Sequence, residues 1–363
     1  MKKILLIFSI LIYISCEQSD KIQLSVVELE GTPYNRGFVH GELLKKEITQ
    51  VISQWKQASE MMHGMNFDDI KKEFLQKTNY GDAIRKWTPD LLDEIKGISD
   101  GSGIEYETIF LFQISEELES YGRTAFVQKC TSIGVNKTEN NPTFVAQNMD
   151  PPPFLQGFPT LLHIKDEHSN LESYVFTFPG FIGLNGLNSK SIAITANGLP
   201  DLYYQTEGLP VAFVIRGILN KTSFKDAVTF IHEIKHAKAQ NYIIGGKDEA
   251  HCFECNTKEI NRYIPAENEN LTYHTNHYLV DPYESKYCSR LTTLEEELKK
   301  RNYKIGFDDI KRILRSRKRN AGRPISNDWT YGSTIMLLSE DPELYITPGR
   351  PDKTEFIKFD FKN

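Results

Sequence analysis

The chain predicts an α+β layered domain. Three observations carry this reading: helical periodicity crowds the N-terminal part, strand alternation takes over from residue 130, and helical stretches return between antiparallel hairpins. The 363 residues are 39% hydrophobic with a formal charge of −6, an ordinary globular composition. No basic patch interleaved with aromatics occurs, which sets nucleic-acid binding aside. No internal repeat, low-complexity segment or linker is visible after residue 23.

The elements follow in order. Leu24 to Leu29 alternates as a strand, and Gly31-Thr32-Pro33-Tyr34-Asn35-Arg36-Gly37 reads as a turn. His40-Gly41 opens a helical stretch to about Trp55. Residues 60–123 are largely helical, with Ile70, Phe74, Leu91, Leu92 and Ile95 at helical spacing and breaks at Pro89 and at the Gly97 to Gly103 cluster. Strands are expected at 130–135, 143–150, 161–164, 173–178, 181–184 and 192–197. Val211–Asn220 and Ser223–His236 read as helices, with Ser223 as N-cap. A strand returns near 242–245, helices at 290–301 and 307–316, and closing strands at 334–338, 344–346 and 355–359.

The N-terminus stands apart. Met1-Lys2-Lys3 is a basic head, and Ile4 to Ser15 is apolar but too short to span a bilayer. It ends Tyr13-Ile14-Ser15-Cys16 before polar residues, which resembles a bacterial lipoprotein box with Tyr13 where Leu is usual. The expectation is a signal over 1–16, a lipidated Cys16 holding the product to an extracytoplasmic membrane face, and a polar tether over 17–23. Cys130, Cys252, Cys255 and Cys288 then remain, and their pairing is open.

Cys130 carries the chemical interest. Folding the 130–150 hairpin about residue 140 sets Cys130 opposite Asp150, so a thiol and a carboxylate share one end of a sheet. A thiolate is a strong nucleophile that needs a base or orienting charge nearby.

Several landmarks then fall in one order. They are Gly31 to Gly37 with His40-Gly41, Cys130-Thr131-Ser132, Gln147-Asn148-Met149-Asp150, Phe178-Pro179-Gly180 with Gly186-Leu187-Asn188, His274-Thr275-Asn276-His277, and Pro348-Gly349-Arg350-Pro351. This set resembles the penicillin-type acyltransferases, peptidase family C45 of the N-terminal-nucleophile (Ntn) hydrolases. The resemblance implies a four-layer αββα sandwich over 24–363 and self-cleavage before the nucleophile into chains 17–129 and 130–363 that stay associated. It implies acyl transfer or hydrolysis of a linear amide, a small-molecule acyl or amide substrate, and no cofactor. Carried over by position, Cys130 attacks the acyl carbonyl, and Asp150 orients the freed α-amine. Asn276 supplies an oxyanion donor, and Ser132 stands where a family Thr acts in processing. Two departures from the family are Lys129, where Gly commonly precedes the nucleophile, and Tyr331, where the penicillin acyltransferase has Arg.

The rival readings are a bile-salt-hydrolase-like relative and a non-catalytic surface lipoprotein of the same fold. The latter could hold zinc on Cys252, Cys255, His274 and His277, although two cysteines three apart on a strand point to opposite faces. Arg216 is expected to meet a substrate carboxylate or form a surface salt bridge. His40 reads as structural, and His232 and His236 as one solvated helix face.

Overall fold

The computed structural model describes residues 22–121, 130–167, 169–200, 205–280 and 288–362. The signal, Cys16 and Lys129 of the expected scissile bond lie outside these.

β1 (Ser25–Gly31) leads directly into α1 (Pro33–Leu43). The Thr32 hydroxyl accepts from the Asn35 N–H, and Pro33 brings a preset φ, so the segment expected as a turn is a capped helix start. α2 (Lys45–His63) buries Ile48, Val51, Ile52 and Trp55 along one face and stops at Gly64, whose φ of 66° is left-handed. α3 (Phe67–Lys77) has Asn66 as its cap; α4 (Gly81–Trp87), α5 (Asp90–Ser102), α6 (Tyr106–Gln113) and α7 (Ser115–Tyr121) follow.

Gly97 and Gly101 do not break the helical run; they lie inside α5. A Cβ on Gly97 would stand 2.1 Å from the Tyr34 carbonyl oxygen, and one on Gly101 2.2 Å from that of Phe38. Gly37 and Gly41 of α1 meet the α5 backbone as closely. The two helices therefore touch backbone to backbone through facing glycines, as small residues permit.

The strand-rich part runs β2 (Thr131–Val135), β3 (Thr143–Met149), β4 (Thr160–Asp166), β5 (Glu172–Thr177), β6 (Asn185–Asn188) and β7 (Ala193–Gly198). The strand expected at 181–184 is a loop. His40 Nε2 accepts from the Gly180 N–H, while Gln113 accepts from the Ile182 N–H and donates to the Gly180 carbonyl. Side chains thus satisfy the backbone there, and no ladder forms. His40 is structural, as expected.

α8 (Val211–Leu219) and α9 (Phe224–Glu233, capped by Ser223) precede β8 (Gln240–Gly245), β9 (Ala250–Cys255), β10 (Ile260–Tyr263) and β11 (Leu271–His274). α9 ends before His236, which is buried with Nε2 3.0 Å from the Ile231 carbonyl, so the two histidines share no solvated face. α10 (Ser289–Lys299), α11 (Phe307–Leu314), β12 (Gly332–Leu338), β13 (Glu343–Pro348) and β14 (Ile357–Asp360) complete the chain.

One sheet runs β1-β4-β5-β6-β7-β8-β9-β10, antiparallel except for the parallel β1–β4 pair. The other runs β11-β2-β3-β12-β13-β14, antiparallel throughout. β2 and β3 stack on β7, β8 and β9, so the sheets lie face to face. α8 and α9 cover the outer face of the first sheet, α1 packs on β1, and α11 covers β3 and β12. This is the four-layer αββα sandwich.

Every position of β2 and β3 is buried, so their polar residues must find partners inside the protein. Ile133, Val135, Phe144 and Ala146 pack outward with Leu294, Leu298, Ile310 and Ile313 of α10 and α11. Val145 and Met149 join the larger core between the sheets and the N-terminal helices.

Arg216 corrects both of its expectations. It is buried and pairs with Glu94 of α5 through two hydrogen bonds of 2.6 and 2.9 Å, while also donating to the Ile182 carbonyl. Arg36 of α1 approaches the same carboxylate at 3.7 Å. Burial pushes the Glu94 carboxyl up, but Arg216 and Arg36 together hold it below its ordinary range.

Candidate active site

β2 begins immediately after Cys130, and its register with β3 pairs Thr131 with Asn148 and Ser132 with Gln147. Extending that ladder puts Cys130 beside Met149, one residue short of the expected Asp150. The slip decides where side chains go. Cys130, Ser132, Gln147 and Met149 share the face toward the other sheet, whereas Asn148 and Asp150 point outward. Asn148 accordingly donates to the carbonyls of Leu314 and Ile325, at 2.8 and 3.1 Å.

Asp150 still acts on the sulfur through its backbone N–H, which favours the thiolate against burial and against the Asp150 charge. Its carboxylate sits beyond the strand end, accepting from Asn327 and Thr330 with Arg290 and Arg323 nearby. Oδ1 is buried and meets no donor among the described residues. Burial foremost raises this carboxyl to about 6, against the pull of Arg290. Cys130 is 5% exposed, and burial together with the Asp150 charge pushes its thiol up to about 12. As placed, the sulfur is a protonated thiol.

Arg290 is the site residue that sequence reasoning missed. It donates through Nη1 to the Cys130 carbonyl and to Thr131 Oγ1 (3.0 Å), and through Nη2 to Asn276 Oδ1 (2.9 Å). Asn276 in turn donates from Nδ2 to the Gly198 carbonyl at 3.0 Å, and its second amide hydrogen meets no acceptor among the described residues. One buried guanidinium therefore fixes the cysteine backbone and the Asn amide together. Its signal was present in the sequence: Arg290 stands in phase with Leu294 and Leu298 on the buried stripe of α10.

Ser132 lies one pleat along from Cys130 on the same face and donates to Asn197 Oδ1 at 2.8 Å. Gln147 is clamped between the Ala196 carbonyl and Asn185 Nδ2, at 2.5 and 2.8 Å. A small cleft opens on Cys130, with Phe178, Phe181, Leu155 and Ile215 among its apolar walls. Tyr331 stands behind Phe178, buried, with its hydroxyl donating to the carbonyls of Phe158 and Thr177. A neutral post thus occupies the position of the family's Arg.

The zinc constellation does not assemble. No group of three or more His, Cys, Asp and Glu placed to hold a metal occurs among the described residues. Cys252 and Cys255 lie in the apolar core, and burial raises both thiols, Cys252 to about 12. His274 is engaged with Glu254 at 2.8 Å and with the Thr275 carbonyl, bracing β11 against β9. Cys130, Cys252, Cys255 and Cys288 are free thiols.

The fold and the cysteine at the head of a central strand define a layered αββα protein with a cleft at that strand's start. Residues 136–348, more than half of the chain, match the acyl-coenzyme A:6-aminopenicillanic acid acyl-transferase family. The chain belongs to this family. The matched span holds Asp150, Asn276 and Arg290 and begins just after Cys130.

Protein dcd1A of Dictyostelium discoideum is 27% identical over 54% of this chain and 49% of its own length. The chain thus spans about half the length of the first curated relative. The Emericella nidulans acyl-coenzyme A:6-aminopenicillanic-acid-acyltransferase 40 kDa form is 27% identical over 70% of each chain. Among solved structures, a Caenorhabditis elegans N-acylethanolamine-hydrolyzing acid amidase ortholog has a TM-score of 0.45 at 18% identity, covering 57% of this chain and 92% of its own. Penicillin V acylase from Agrobacterium tumefaciens has a TM-score of 0.40 at 11% identity, covering 64% and 86%.

Proposed function

We propose that the protein is a self-processed cysteine amidohydrolase or acyltransferase that acts on linear amides through a thioester on Cys130. One observation carries the proposal. Cys130 immediately precedes a central strand and lines the cleft, its carbonyl tied through Arg290 to Asn276.

The high thiol pKa sets the chemical problem. Burial, and then the neighbouring Asp150 carboxylate, disfavour the thiolate, so the sulfur needs a base of its own. Cleaving the Lys129–Cys130 bond supplies it. The thiol adds to the Lys129 carbonyl, the peptide C–N bond breaks, and the acyl group passes to sulfur with the proton going to nitrogen. Water then hydrolyses that ester and leaves a free α-amine on Cys130. Such an amine titrates near about 7.7–8.0, so it can take the thiol proton at neutral pH from the same residue.

In turnover the thiolate adds to the substrate carbonyl, and the unspent Asn276 N–H faces the oxyanion. The α-ammonium returns its proton to the departing amine. Water or a second amine then releases the acyl group. Asp150 Oδ1 is the acceptor open to the α-ammonium. Chains 17–129 and 130–363 stay joined because α1 and α5 are locked to α8 by the Glu94–Arg216 pair. A lipid on Cys16 would tether the assembly outside the cytoplasm.

The decisive experiment is intact-mass and N-terminal analysis of the purified protein. A fragment beginning Cys130-Thr131-Ser132-Ile133 is expected, and Cys130→Ala should leave one uncut chain without amidase activity. Activity from an uncut wild-type chain would overturn the mechanism. Metabolic labelling with a fatty acid, lost in Cys16→Ser, tests the anchor.

A further inference from the structure

A basic run begins in the last turns of α11. Residues 312–323 hold six cations, and four of them face carboxylates: Arg312 with Asp309, Arg315 with Glu355, Arg317 with Asp328 and Lys318 with Glu296. The guanidinium groups of Arg319 and Arg323 form no ion pair or hydrogen bond among the described residues. These two line a surface cleft together with Asn327, Asp328 and Trp329. Among the described residues it shares none with the cleft beside Cys130.

Arg323 is the more telling of the two. Its guanidinium carbon lies 3.6 Å from the centroid of the Trp329 ring, so the cation is stacked on the indole. Its Nη1 is buried and meets no acceptor among the described residues. A guanidinium carries five N–H donors, stays charged, and suits flat bidentate anions. The indole answers one face of it and none of those donors. The stack is pinned through its backbone. Ser289 Oγ donates to the Arg323 carbonyl at 2.8 Å, Gln156 donates to the Trp329 carbonyl at 2.8 Å, and Asn327 Oδ1 accepts from the Trp329 N–H at 2.9 Å.

The carboxylate of the cleft is already taken. Asp328 faces Arg317 at 3.3 Å and Arg350 at 2.7 Å, and Arg350 also holds Asp352 at 2.7 Å. Two guanidinium groups therefore stand without a counter-charge beside an indole that is 39% exposed. A sealed donor without an acceptor is costly, and a charge-assisted pair with an anion offsets that cost.

We propose that this cleft binds an anion: a carboxylate or phosphate held by Arg323 and Arg319, on an aromatic body that packs against the exposed part of Trp329. Binding here is independent of the reaction proposed above. The bound anion would still adjoin the site of that reaction, because Asn327 lines the cleft and donates to the Asp150 carboxylate.

The test uses the wild-type protein as purified, with phenyl phosphate, benzoate and benzyl alcohol as probes. Binding is measured by calorimetry at about pH 7.5, where the phosphate is largely a dianion, and at low and high salt. At least one anion should bind about tenfold or more tightly than the alcohol, and added salt should narrow the gap. A lead for phenyl phosphate identifies a phosphate monoester as the ligand class, whereas parity or a lead for benzoate identifies a carboxylate. Arg323→Met should bring the preferred anion within about twofold of benzyl alcohol. Arg319→Met, at an exposed position, should weaken that anion by about threefold and serves in its place should the first variant fail to fold. Equal binding of anions and alcohol, or an anion preference that Arg323→Met or its substitute leaves intact, would overturn the proposal.

Discussion

Arg290 is the residue on which the site turns. Its guanidinium reaches the Cys130 carbonyl, Thr131 and Asn276 at once, so in the proposed mechanism it positions both the nucleophile and the oxyanion donor. We expect Arg290→Met to lower kcat by about 10²-fold, the typical loss of an oriented oxyanion donor, with KM changed far less. Arg290→Lys should recover little, because an ammonium cannot span two diverging partners. A fall confined to KM would contradict this role. Asp150 makes a second prediction. Burial raises its carboxyl to about 6, and the proposed hold on an α-ammonium requires it ionised, so activity should be lost as pH falls through that range. The pH profile of kcat/KM should therefore rise in two steps, near 6 for Asp150 and higher for the α-amine, and Asp150→Asn should remove only the lower one.

At the scale of elements, the α1–α5 contact is the least forgiving. Facing glycines let the backbones meet, and any Cβ at Gly97 or Gly101 lands on a carbonyl that cannot move alone. Gly97→Ala should destabilise by about 1–3 kcal/mol despite the better helix propensity of Ala, measured by denaturant unfolding. An increase in stability would show that the helices can part at little cost. The Glu94–Arg216 pair ties the same helices to α8. Glu94→Gln leaves a buried guanidinium short of a counter-charge and should cost about 3–5 kcal/mol. The hairpin carries its lesson at this scale too. One residue of register, Cys130 beside Met149 and not Asp150, sends the carboxylate outward, where its charge still reaches the sulfur and disfavours the thiolate.

Across the whole molecule, buried carboxyls make stability fall with pH. Burial raises Glu117 and Glu119 to about 8 and Asp150 to about 6. Between the unfolded value near 4 and these values the native state binds more protons than the unfolded chain, so these groups lower the unfolding free energy as pH rises. Glu117→Gln keeps the acceptor for the Val211 N–H and removes the ionisation. Its melting temperature should match wild type at about pH 5 and exceed it increasingly toward pH 8.5. A constant difference across that range would show that Glu117 titrates normally.

The amino-acid sequence by itself determined the layered α+β class, most element positions, and the identity of Cys130, Asp150, Asn276 and Ser132 as the residues to follow. These are local or patterned signals: strand alternation, an N-cap at Ser223, and landmarks in one order. Tertiary structure alone decided the rest. It made a helix of the turn at 33–37, a loop of the strand at 181–184, and a buried ion pair of Arg216. It set Arg290 between nucleophile and amide donor, and it scattered the zinc set into core thiols and a His–Glu brace. The reason is physical. Periodicity records which face of an element is apolar, whereas the partner of a buried polar group is chosen by segments far along the chain, and no local pattern encodes that meeting.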